Sequence, residues 1–158
     1  MRPVSAIALG TLTVGGLDLL DAIVFFGVRN SLSPERILQS IASGLLGRAA
    51  FAGGAATAML GAGLQFFIAG CIVSSYYLAS RRFRFLTSHV WVTGTLYGVI
   101  VYVFMNAVVL PLSAAPHGFP RTPVLINGLL IHILGVGIPA ALFARAAGET
   151  RSGGKRQH

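Results

Sequence analysis

Carboxylates are scarce in this chain. Asp and Glu together number four, against twelve Lys and Arg, and charged residues make up only 10% of the sequence. A soluble domain of ordinary composition carries roughly 25% charged residues, so this one has too few to cover a water-facing surface. Cysteine is scarcer still. One residue, Cys71, excludes an intrachain disulfide and any cysteine-based metal centre. It stands within an apolar run and reads as a buried, inert thiol. The sequence also lacks GxSxG, HExxH and a phosphate-cradling glycine loop, so no familiar catalytic signature points to an enzyme. The net charge of +8 would suggest nucleic acid if the basic residues formed one face. Here they fall between apolar blocks, which points to anionic lipid headgroups and away from nucleic acid.

What the sequence has in quantity is apolar length. With 54% hydrophobic residues, it contains four segments that meet the requirement of ~20 apolar residues for crossing a bilayer. They run from about residue 4 to 28, 54 to 79, 89 to 112 and 123 to 144. The expected fold is therefore an all-α membrane protein, an antiparallel four-transmembrane-helix bundle forming a single domain over residues 1–145. The Gly-rich, charged residues 146–158 read as a disordered tail. An even number of spans puts both termini on one side. That side collects eight basic residues (Arg2, Arg81, Arg82, Arg84, Arg145, Arg151, Lys155 and Arg156), and the other collects four (Arg29, Arg36, Arg48 and Arg121). The bias predicts cytoplasmic termini in a bacterial inner membrane. Arg81, Arg82, Arg84 and the tail then sit against anionic headgroups. The first segment is too long and too acidic for a cleaved signal peptide and reads as a retained span.

Between the first two spans, Ser33-Pro34-Glu35 spells an N-cap, a proline at the first helical position and a first-turn acid. Ile37, Leu38, Ile41, Leu45 and Ala49 then recur at helical spacing, which predicts an amphipathic helix over about 34–49 lying at the outer interface. Such a helix could be a plain connector, or a lid or docking element offering Glu35, Arg36, Gln39 and Arg48. The small residues between Gly44 and Ala56 predict close approach of neighbouring backbones.

The runs SPERILQSIASGLLG (Ser33 to Gly47), AFAGGAATA (Ala50 to Ala58), YGVIVYVFMNAVVLPLS (Tyr97 to Ser113) and LLIHILGVGIPAAL (Leu129 to Leu142) resemble a family of small bacterial four-span inner-membrane proteins of uncharacterised function. The resemblance extends from Asp18 to Pro139. It implies a four-span fold in a bacterial cytoplasmic membrane, and no activity, substrate or cofactor. In this family a histidine often stands where this chain has Gln65, so the resemblance does not imply a titratable group there.

The informative exceptions to the apolar pattern are buried polar residues. Asp18 and Asp21 occupy the first span at i, i+3 spacing, on one helix face, with Asp21 ~4.5 Å nearer the outer surface. A lone carboxylate at mid-membrane costs at least ~2.5 kcal/mol. Both must therefore face sister helices or water, or find partners. Depth alone predicts two layers: Asp18, Gln65 and His132 at the middle, and Asp21, Asn106 and Asn127 nearer the outside. The cluster can serve as interhelical glue or as a site for a proton, an ion or a small solute. No compact ligand motif supports a metal, and nothing indicates a cofactor. His117 reads as a loop residue. Pro139, after Gly135 and Gly137, predicts a kink in the fourth span. Three functions stay open: a non-enzymatic structural or assembly component, homo-oligomeric or bound to a membrane-protein partner; a small oligomeric transporter or proton- or ion-coupled permeation unit using Asp18, Asp21 and His132; and a membrane enzyme acting on lipid or quinone.

Overall fold

The helices Pro3–Asn30, Pro34–Leu46 and Thr122–Ile131 each carry a proline in the first turn, for the same reason. Pro3, Pro34 and Pro123 stand in the first turn, where a missing N–H costs nothing, and the residue before each helix is extended (Arg2 ψ 143°, Ser33 ψ 152°, Arg121 ψ 150°). The computed structural model describes residues 1–116 and 121–153. Among these it is helical with no strand, and it has four helices long and apolar enough to cross a membrane: Pro3–Asn30, Gly54–Arg82, Val90–Leu112 and Thr122–Gly148. We call these the first to fourth spans. A connecting helix, Pro34–Leu46, and a 3-10 segment, Gly47–Ala52, join the first two. The connecting helix is shorter than the 34–49 expected because Gly47 takes φ 57°, a left-handed conformation that ends the α-helix. The fourth span continues as helix to Gly153, into the stretch expected to be a disordered tail. His117 lies outside the described residues.

The first span packs on the second and the fourth, and the third packs on the fourth. Third and fourth spans approach backbone to backbone. A Cβ on Gly98 would run into the carbonyl of His132, and one on Gly137 into the carbonyl of Gly94. Only glycine permits this, and the contact fixes where the polar residues of the fourth span fall. Second and third spans join at the end of the molecule that carries the N-terminus. There the rings of Tyr76 and Tyr97 meet edge-on at 4.8 Å, and Tyr97 donates its hydroxyl to the Ile72 carbonyl at 2.8 Å. Tyr76, 1% exposed, donates to Leu86 O at 2.9 Å and meets the Thr93 hydroxyl at 2.8 Å. Val73, Val90, Ala140, Ala141 and Ala144 complete a dry core around them.

Outward faces are apolar. Leu12, Leu20, Met59, Phe67, Leu78 and Val92 are all more than half exposed, as lipid-facing side chains are. Cys71 belongs with them. It was expected as a buried thiol and is exposed, because in a span an apolar neighbourhood marks the lipid face as readily as the core.

The connecting helix differs from its sequence reading in which face it buries. The stripe Ile37, Leu38, Ile41, Leu45 and Ala49 was read as its apolar face, with Gln39 and Ser43 on other faces. The buried residues are Ile37, Gln39, Ala42 and Ser43, and Leu45 is 62% exposed. A polar requirement explains the rotation: Gln39 donates its side-chain amide to the carbonyl of Gly54, in the first turn of the second span, at 3.2 Å. The closest approach of the two helices uses Gly61, whose added Cβ would strike the Leu38 carbonyl, and Gly61 lies outside the small-residue stretch that suggested it.

Candidate functional site

The two aspartates reach different partners. Gln65 donates Nε2–H to Asp18 Oδ2 at 2.8 Å and to the Gly15 carbonyl at 3.4 Å, tying the second span to the first. Both neighbours of that nitrogen are acceptors, so the amide orientation is fixed by chemistry. Asn127 donates Nδ2–H to Asp21 Oδ2 at 2.6 Å, tying the fourth span to the first. The carboxylates are half-buried and turn toward sister helices.

Asp18, Gln65, Asn106 and His132 line one cavity of about 300 Å³. The apolar part of its wall comes from Val14, Ile68, Ile72, Met105 and Val136. Ser40, Ile41 and Gly44 of the connecting helix, with Ser113 and Ala115 after the third span, form its wall at the end away from the N-terminus. The backbone N–H of Ala114 donates to the Gly44 carbonyl at 2.9 Å and pins that wall together. Asp21 and Asn127 are absent from the lining.

The cavity joins Asn106 to residues expected at another depth. Asn106 was grouped with Asp21 and Asn127, and it lines the cavity with Asp18, Gln65 and His132, donating Nδ2–H to Tyr102 O at 2.9 Å. The cause is local. Met105–Val109 winds as a π-helix, closed by a bond from the Leu110 N–H to the Met105 carbonyl, and the wider turn re-aims the side chains. His132 opens a second π segment, His132–Gly137, closed from the Ile138 N–H to Ile133 O. Each π segment stops two residues before a proline, Pro111 or Pro139, whose missing N–H leaves a carbonyl four residues back without its α-helical donor. At Pro139, where a kink was expected, the backbone has a widened turn on the N-terminal side of the proline.

His132 Nδ1 lies 2.8 Å from the Gly128 carbonyl. Only a protonated nitrogen can bond there, so a neutral ring keeps its free lone pair on Nε2. Tyr102 holds the imidazole edge-on at 5.4 Å and donates its own hydroxyl to Leu125 O at 3.1 Å.

The candidate lid residues are engaged locally. Gln39 also bonds Glu35 at 3.4 Å, while Arg36 donates to Phe51 O at 3.3 Å and stacks over the Phe51 ring at 4.2 Å. Arg48 is exposed and does not line the cavity. Sequence reasoning missed Tyr76, Tyr97 and Tyr102. Their signal was a hydroxyl inside an apolar span, which must find an acceptor as an amide must. Among the described residues no three His, Cys, Asp or Glu side chains gather as a metal set.

Four long apolar helices mark a multi-pass membrane protein, and the cavity among them carries a few polar side chains. No family model matches the chain, and no curated protein or solved structure matches it.

Proposed function

We propose that this chain is a non-enzymatic inner-membrane protein of a bacterium, with cytoplasmic termini, that admits a small solute to its intramembrane cavity as part of an oligomeric permeation or transport unit. In this reading the spans form an antiparallel bundle and the Pro34–Leu46 helix lies amphipathically at the outer interface. Arg81, Arg82 and Arg84 meet anionic headgroups on the cytoplasmic side.

The observation that carries the proposal is the cavity itself. Interhelical glue needs only closed pairs, such as Asp21 with Asn127. Asp18, Gln65, Asn106 and His132 instead converge on about 300 Å³ of open space, at the lower end of the ~300–1,000 Å³ typical of ligand sites. An enzyme is less well supported. The two serine hydroxyls in the lining donate to carbonyls of their own helices, Ser40 to Ile37 O at 2.6 Å and Ser113 to Leu110 O at 2.8 Å, and neither is paired with His132 as a nucleophile would be. Four spans are few for a transporter, which is why the functional unit is proposed as a homo-oligomer.

The test is flux of protons and small monovalent cations into proteoliposomes under an imposed gradient. Wild type should exceed protein-free vesicles, and the Asp18→Asn/Asp21→Asn double variant should fall to their level. Wild-type flux at background, or a double variant indistinguishable from wild type, would overturn the proposal.

A further inference from the structure

The cavity offers hydrogen-bond acceptors almost exclusively. Both protons of the Gln65 amide are committed, to Asp18 and Gly15, which leaves its Oε1. The Nδ1 proton of His132 is committed to Gly128, which leaves the Nε2 lone pair. One amide proton of Asn106 goes to Tyr102, and the hydroxyl protons of Ser40 and Ser113 go to backbone carbonyls. Asp18 has a second oxygen with no donor among the described residues, and no cationic side chain pairs with it. With one Asn106 amide proton left to give, a site built this way is poorly matched to phosphates and carboxylates, which need several donors. It suits a group that brings donors of its own, and a positive charge would also neutralise the carboxylate of Asp18 inside the membrane.

A second observation shows how such a group reaches the site. Second and third spans meet at their Tyr76 and Tyr97 end and part beyond it, leaving an apolar groove of about 340 Å³. Cys71, Ser75, Ile100 and Phe104 line it, and all four are exposed on the outward face of the spans. Ile68, Ile72, Met105 and Val109 line both groove and cavity, so the two are neighbours that share a wall. The connecting helix and residues 113–115 wall the cavity at the end away from the N-terminus, so the groove is the face on which acyl chains would abut it.

We propose that the cavity and groove together bind a single-chain amphiphilic amine, its ammonium group at Asp18, Gln65 and His132 and its hydrocarbon tail lying between the second and third spans. This rests on the solute-binding reading above and names the class of ligand. The same ammonium could come from an ethanolamine lipid of the bilayer, but that headgroup brings a phosphate, which needs more donors than the one uncommitted Asn106 proton supplies.

The test is photolabelling of the full-length protein in phosphatidylcholine nanodiscs, with adducts mapped by mass spectrometry. Three probes carry a diazirine on a tail of equal length: an alkylammonium, an alkylcarboxylate and an ethanolamine phospholipid. The alkylammonium should label Cys71, Ile72, Ile100 or Phe104, competed by unlabelled amine, and the carboxylate should not. Asp18→Asn keeps an acceptor for Gln65 and so keeps the fold, while the loss of one charge-assisted bond should cut competable labelling about tenfold. Ile68→Trp, which fills the shared wall, should abolish it, with chromatographic profile and Trp91 emission reporting that both variants are folded. Equal labelling by carboxylate and amine, equal labelling of the Asp18→Asn variant, or labelling by the phospholipid alone would each overturn the proposal. Failed labelling beside intact cation flux would sink the amphiphile and spare the permeation reading. Failure of both would sink both.

Discussion

The two ends of the molecule are built on opposite plans. Toward the N-terminal end, Tyr76 and Tyr97 hold second and third spans together over Val73, Val90, Ala140, Ala141 and Ala144, all of them buried or nearly so. Toward the other end, neither Met105–Leu112 nor Thr122–Ile131 contributes a buried residue, and the space between the helices is lined by amides, a carboxylate and an imidazole. In lipid there is little hydrophobic drive to press helices together, so close packing has to be earned through small residues and interhelical hydrogen bonds. One end has both. The other spends its polar groups on an opening, which shows that the opening is not for want of polar side chains able to close it.

That contrast can be broken most violently at the glycine seam. Gly98→Leu forces a side chain into the backbone at His132 and Ile133, and overpacking of this kind costs about 3 kcal/mol or more, enough to leave little folded protein. Gly63→Leu, at a glycine with nothing near its Cβ, should leave unfolding in mixed detergent micelles unchanged. If both variants behave alike, the seam is not what separates the halves.

The next test removes a hydroxyl from the closed end. Tyr76→Phe deletes bonds to Leu86 and Thr93 and should lower unfolding free energy by about 1 kcal/mol. Cation flux should stay at the wild-type level, since Tyr76 does not line the cavity. Lost flux with unchanged stability would invert the division of labour.

The smallest effect is expected from the aspartates, and it sharpens the comparison most. Asp21→Ala breaks the pair with Asn127 and should cost about 0.6 kcal/mol, with flux retained. Asp18→Asn should leave stability near wild type, because the substituted amide still accepts from Gln65, and should lower flux. The two measurements, unfolding and flux, should therefore separate two residues that lie one helical turn apart. Equal responses in both would merge the pair into a single structural cluster.

Much of this was legible beforehand, for reasons that can be stated residue by residue. Span positions follow from the cost of putting polar backbone in hydrocarbon, and the ends in the structure fall within a few residues of those expected. The inward turn of Asp18 and Asp21 follows from charge alone, and matching depth was enough to pair Asp18 with Gln65. Depth could not show that Asn106 shares a cavity with Asp18, because periodicity assumes one rotation per residue and the π turn beginning at Met105 does not obey it. Cys71 was misplaced because an apolar neighbourhood marks either face of a membrane helix. Gln39 was misplaced because its burial answers a carbonyl on another element, at Gly54, which no periodicity within its own helix can reveal.

The paired π turns carry an implication for how this chain tolerates change. Each holds one residue more per turn than its neighbours need, and successive helix residues are separated by roughly 100° of azimuth. Deleting a single residue from Met105–Val109 would let an ordinary helix re-form, swinging Asn106 and everything before it relative to Pro111. A deletion within His132–Gly137 would do the same to His132 relative to Pro139. The register of the polar groups is thus stored as two surplus residues in the spans, beyond the identities of the polar groups themselves. A chain keeping every Asp, Gln, Asn and His but lacking either surplus residue would aim them elsewhere.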